Sequence, residues 1–191
     1  MSKEKSDIEK AINFIKMIEP LKDTTRTAWT QNGRRESVAE HSWRLSMLAL
    51  VLEDYFEEID FNKVIKLCLV HDIGEVYDGD ISAITKVDEG KKLRDETKAI
   101  KFISSYLGEK SKTKFVDLWQ EYTNGSTIEA IIAKALDKIE TIIQHNQGDN
   151  PEDFNYKFNL EYGKEYSLCH EIVTKIREIV DNDTLKNINY L

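Results

Sequence analysis

The chain is poor in the residues that make turns and strands. Its 191 residues hold only 2 prolines and 8 glycines. A fold built from many short strands needs more of both, so the composition leans towards helices. No run of alternating apolar and polar residues argues for strands. There are 2 cysteines, Cys68 and Cys169, both in apolar helical contexts. They are read as small core side chains, and a disulfide framework is excluded. No uninterrupted apolar run approaches the ~18 residues of a membrane span. The first residues, Met1 to Lys5, lack the apolar stretch of a signal peptide. A soluble, cytoplasmic protein is the expectation, with no membrane partner.

The chain also lacks net positive charge. The formal balance is −8, which disfavours nonspecific contact with nucleic acid. A small anionic substrate stays possible, because a local site can be cationic within an acidic surface. The length suggests one domain. No repeat, low-complexity tract or linker divides it.

What is present is helical periodicity. Ser6-Asp7-Ile8-Glu9 reads as a capping box before Ile8, Ile12, Ile15 and Ile18, with Pro20 ending that helix. Residues 21–36 have no helical period and hold Arg26, Trp29, Arg34 and Arg35. They form either a solvated loop with a packed tryptophan or an anion-binding loop, since arginine presents a planar fork of donors suited to phosphate.

Ser37-Val38-Ala39-Glu40 is a second capping box, opening a helix with Val38, His41, Leu45, Leu48, Leu52 and Tyr55 inward. Asp60 can cap the next, carrying Val64, Leu67, Val70 and His71 on one stripe. Glu75, four residues on, shares a helical face with His71. Asp72 is rotated ~100° and converges on the same point only at the edge of that face. Asp80 lies in the loop that follows, as a turn residue or as a group returning to the site.

A helix over about 89–107 is expected to end at Gly108, with Leu93, Thr97, Ile100, Ile103 and Leu107 inward. The next bears Phe115, Leu118, Trp119 and Tyr122 and stops at Asn124-Gly125. A third capping box, Ser126 to Glu129, opens a helix apolar almost all round and therefore central. Asp137 lies off its main apolar face, on a stripe with Ala133, Glu140 and Gln144. A last helix is expected over roughly 162–180, with a loose tail.

His41, His71-Asp72 and Asp137 form the order H…HD…D, with spacings of 30 and 65 residues. Two imidazole nitrogens and two carboxylates make a mixed site for a borderline divalent metal. On an octahedral ion they leave two positions open. Taken singly, such a histidine is more often a hydrogen-bonded core residue than a ligand.

The ordered set resembles the HD (histidine-aspartate) superfamily of metal-dependent phosphohydrolases, in its small 5′-deoxynucleotidase-like branch. The segments that carry the resemblance are Arg26-Thr27-Ala28-Trp29, Glu36 to Arg44, Leu69 to Glu75, Gly79-Asp80-Ile81 and Leu136 to Glu140. The resemblance runs from about residue 10 to 147, with a helical extension over about 149–191 that matches nothing. The resemblance implies an all-α bundle of six to seven main helices and a homodimer. It implies hydrolysis of deoxyribonucleoside 5′-monophosphates. It assigns the metal to His41, His71, Asp72 and Asp137, and the acid/base role to Glu75. Asp80 becomes a second polar group near the water or leaving oxygen, Arg26 the phosphate grip, and Trp29 the sugar neighbour. Ala28 replaces the glycine that relatives often carry before the tryptophan. Residues 73–136 contain no histidine, whereas two-metal relatives bring extra histidines there, so one divalent ion per chain (Mn, Co, Fe, Zn or Mg) is expected. Two alternatives remain: a hydrolase of another nucleotide or small phosphate ester, and a non-catalytic regulatory module with a structural metal.

Overall fold

A computed structural model of the chain describes residues 3–78 and 88–190. Within them are eight helices and one two-stranded hairpin: α1 (Lys3–Met17), β1 (Thr25–Trp29), β2 (Arg35–Ser37), α2 (Val38–Leu52), α3 (Phe61–Val70), α4 (Glu75–Asp78), α5 (Glu89–Ser104), α6 (Glu109–Asn124), α7 (Ile128–Gln147) and α8 (Glu171–Tyr190). The class is all-α, as the composition implies. No described helix is long and apolar enough to cross a membrane.

α7 is the axis. It packs against α2, α3, α6, α8 and β1, and its Ile132, Leu136, Ile139 and Ile142 are fully enclosed. One core layer joins α2, α3, α6, α7 and α8. A second joins α1, α5 and α6 around Ile100, Ile103, Phe115 and Trp119.

Several local signals act as read. The Ser37 hydroxyl accepts from the Glu40 amide at 3.3 Å, and the Glu40 carboxylate accepts from the Ser37 amide at 2.9 Å. This reciprocal pair fixes the start of α2. Asp60 caps α3 through the Lys63 amide. Gly125 ends α6 at φ +58°, a conformation a Cβ disfavours.

Others are overturned. Ser6 lies inside α1, which begins at Lys3. Ile8, Ile12 and Ile15 are 56%, 51% and 62% exposed. The inward face of α1 instead carries Phe14, whose ring meets Phe115 edge-on at 5.1 Å. Tyr55 and Leu93 are likewise exposed. Gly108 caps the beginning of α6 rather than the end of α5. The cap of α7 is Thr127, not Ser126, and its hydroxyl accepts from the Ala130 amide.

Residues 21–36 are not an irregular loop. β1 pairs antiparallel with β2, Thr25 opposite Ser37 and Trp29 opposite Arg35. The alternation is present but hidden, because the buried members of β1 are Arg26 and Ala28. The final helix also differs: it runs Glu171–Tyr190, and the expected loose tail is helical through the described residues. Polar contacts hold it. The Thr184 hydroxyl bonds Asn146 at 3.0 Å, and Arg177 donates to the carbonyls of Asn159, Leu160 and Tyr162. A hydropathy pattern does not register such anchors.

Candidate active site

α3 ends at Val70, with His71 as its C-cap, and the chain turns through 71–74 before α4 begins at Glu75. The turn is closed by three-residue backbone bonds, Ile73 to Val70 and Glu75 to Asp72. His71, Asp72 and Glu75 therefore do not share one continuous helix. In place of the helical divergence, Oδ2 of Asp72 stands 2.9 Å from Nε2 of His71.

The same two side chains face α2 and α7. Nε2 of His41 lies 3.2 Å from Oδ1 of Asp137 and 4.0 Å from Oδ2 of Asp72. Nε2 of His71 lies 3.9 Å from Oδ1 of Asp137. His41, His71 and Asp137 are buried, and one ligand atom from each falls within 4.8 Å of the others.

The outer faces of both rings are committed. Nδ1 of His71 lies 2.8 Å from the Cys68 carbonyl oxygen. It must donate there, which leaves the lone pair on Nε2. Nε2 of His71 is buried and makes no hydrogen bond, although two carboxylate oxygens face it. Nδ1 of His41 lies 2.5 Å from Oε2 of Glu140, so its Nε2 also points inward and offers a lone pair to a metal ion that displaces its proton. Two ring nitrogens and two carboxylates facing one another need a positive charge between them, a proton or a metal ion. The donor set fits a divalent metal ion.

The electrostatics agree. Burial opposes ionisation of Asp72, but His71 beside it holds its carboxyl well below the usual range. Burial likewise opposes ionisation of Asp137, yet Lys138 and both histidines depress it further. Burial and Arg26 work against a proton on His41, but Glu140 and Asp137 outweigh them and push it up to about 9. Positive charge is favoured at this point of the fold.

Arg26 reaches the site from β1. It is buried, and one guanidinium nitrogen donates to the Thr141 hydroxyl at 3.1 Å, one turn beyond Asp137. The other lies 3.8 Å from Glu36, beyond hydrogen-bond length, and has no acceptor. Burial, then repulsion from Glu140, raises Glu36 to about 7. The other two arginines of this segment are engaged outside. Arg34 forks onto Glu40 at 2.9 and 2.5 Å, and Arg35 lies over Trp29 at 5.2 Å. Trp29 ends β1, where its carbonyl accepts from Gln144 and its ring meets Phe154 edge-on. Glu75 is buried at the start of α4. Asp80 lies outside the described residues.

Four of the expected residues thus converge, His41, His71, Asp72 and Asp137, with Arg26 behind them. Sequence reasoning gave no role in the site to Glu140, Glu36, Thr141, Tyr122 or Lys138. The last two both donate to Oδ2 of Asp137 at 2.9 Å. Glu140 had a signal: it follows Asp137 by three residues on the stripe that departs from the apolar face of α7. That stripe is buried, because it faces the site and not solvent.

A family model described as HD domain matches residues 18–177. The chain belongs to the HD-domain family. Among curated relatives of this HD-domain protein is the 5′-deoxynucleotidase HDDC2 of Dictyostelium discoideum, 34% identical over 159 residues, covering 78% of this chain and 84% of that protein. The protein of the same name from Danio rerio is 33% identical over 147 residues, covering 76% and 72%. Among solved structures, a predicted metal-dependent phosphohydrolase from Magnetospirillum magnetotacticum superposes with a TM-score of 0.80 at 24% identity. It covers 97% of this chain and 96% of that one, and shares the fold.

Proposed function

We propose that this HD-domain protein is a phosphomonoesterase that hydrolyses deoxyribonucleoside 5′-monophosphates, using one divalent ion held by His41, His71, Asp72 and Asp137. The observation that carries the reading is the convergence of a ring nitrogen from each of His41 and His71 and an oxygen of Asp137 on one buried point, with an oxygen of the half-buried Asp72 beside His71 at its edge. Relatives named 5′-deoxynucleotidase support the substrate class.

When bound, the ion supplies Lewis-acid chemistry, making water more acidic and offsetting negative charge on phosphate. The chain's own residues do the rest. Arg26 has a buried guanidinium nitrogen without an acceptor, so a phosphate oxygen can take that donor. Glu75 serves as the base that removes the proton from the attacking water. Water adds to phosphorus, the P–O5′ bond breaks, and the departing oxygen receives the proton that Glu75 took from the water. Asp80 belongs with the water or the leaving oxygen, and Trp29 with the sugar.

The test is phosphate release from matched deoxyribo- and ribonucleoside monophosphates with manganese, cobalt or magnesium. Deoxyribonucleotides should turn over with the higher kcat/KM. Absence of release from every monophosphate, with metal bound, overturns the proposal.

A further inference from the structure

Asp137 is treated asymmetrically by its surroundings. Its Oδ1 faces the two histidine nitrogens, at 3.2 Å from His41 and 3.9 Å from His71. Its Oδ2 is taken by two donors, the Tyr122 hydroxyl and the Lys138 ammonium, each at 2.9 Å. They come from different helices. Tyr122 reaches in from α6, a helix that supplies none of the proposed metal ligands. Lys138 is the next residue on α7.

Adjacent residues on a helix point about 100° apart, so Lys138 must bend back to reach its neighbour. The C-terminal segment holds it in that course. The Lys138 ammonium lies over the Tyr162 ring at 5.2 Å. Gly163, at φ +68°, presses so closely that a Cβ there would stand 2.4 Å from Cβ of Lys138. A lysine pinned along its stem and a tyrosine locked in the core together occupy Oδ2.

A free carboxylate beside a divalent ion can bind through one oxygen or both. Binding through both uses an extra coordination position. We propose that Lys138 and Tyr122 are positioning residues that reserve Oδ2 of Asp137, so that the ion receives only Oδ1 and keeps a position open for water and phosphate. The inference rests on the proposed function, and it gives the Tyr162–Gly163 turn a part in the active site.

The test is manganese binding to wild type, Lys138→Met, Tyr122→Phe and the double variant. Manganese affinity is measured together with the longitudinal relaxation of water protons, which reports water exchanging on the ion. The double variant should bind manganese at least as tightly as wild type. Its relaxation enhancement per ion should fall to about half, because one of two open octahedral positions is filled by Oδ2. Phosphate release should fall in parallel, and each single variant should lie between. If the variants bind manganese more weakly with undiminished relaxation per ion, the two residues serve only to hold Asp137 in place and the inference is overturned. Unchanged binding and relaxation overturn it equally. Should the lysine variant fail to fold, Tyr122→Phe removes a single oxygen from a retained ring and carries the same expectation at smaller size. Failure of wild type to bind manganese overturns the proposed function itself, a distinct outcome.

Discussion

Nδ1 of His41 and Oε2 of Glu140 lie 2.5 Å apart in the fully enclosed space between α2 and α7. The carboxylate fixes which ring nitrogen carries the proton and turns the other towards Asp137 and Asp72. Arg44 at 3.4 Å balances the remaining charge of Glu140.

Glu140→Gln keeps the shape and an acceptor but removes that charge. We expect metal affinity to fall about 10- to 100-fold, the range found when a carboxylate behind a ligating histidine is lost. Competition against a chromophoric chelator measures it. Unchanged affinity would show that Glu140 serves packing alone.

Glu75→Gln separates catalysis from metal binding. Loss of a general base should lower kcat by about 10²- to 10⁴-fold, with one ion per chain retained. Steady-state kinetics and metal analysis on the same preparation decide it. A kcat near wild type removes Glu75 from the mechanism.

Arg26→Met should have two separable effects. The charged-group hydrogen bond to phosphate is lost, raising KM about tenfold or more. Glu36, enclosed beside it, loses a nearby cation, so its pKa should rise further and stability near neutral pH should fall. Arg26→Met with Glu36→Gln should recover most of the stability in urea unfolding but none of the KM. Recovery of both would make Arg26 structural.

Lys63 ties three helices together, 2.7 Å from Glu121 and 3.1 Å from Glu129. Burial raises Glu129, but backbone amides and Lys63 outweigh it and leave its pKa lowered. A depressed folded value stabilises above the unfolded pKa of about 4.3, and that contribution is lost as pH falls through the folded value. Lys63 itself is raised, chiefly by Glu121. Its contribution is full below about 10.4 and is lost as pH rises through the folded value. Lys63→Met should lower stability near pH 7 and flatten its decline below about pH 4.5. Urea unfolding at a series of pH values reads this directly, and parallel curves for the two proteins would contradict it.

The sequence by itself determined the helical class, the central place of α7, the caps at Ser37 and Asp60 and the stop at Gly125. These follow from local chemistry: which residue can cap, which cannot take a positive φ, which faces are apolar. His41 and His71 were legible for a related reason, since ionisable groups on apolar stripes call for partners; Asp137, off the apolar face of α7, was legible only through the resemblance to the HD superfamily. Only the tertiary structure decided how they meet. The turn at 71–74 brings Asp72 to His71 where a continuous helix would part them. The hairpin carries Arg26 inward, invisible to hydropathy because its buried members are an arginine and an alanine. Glu140, Tyr122 and Lys138 acquire meaning only when α2, α6 and α7 are packed together, since hydrogen bonds between helices leave no period in the chain.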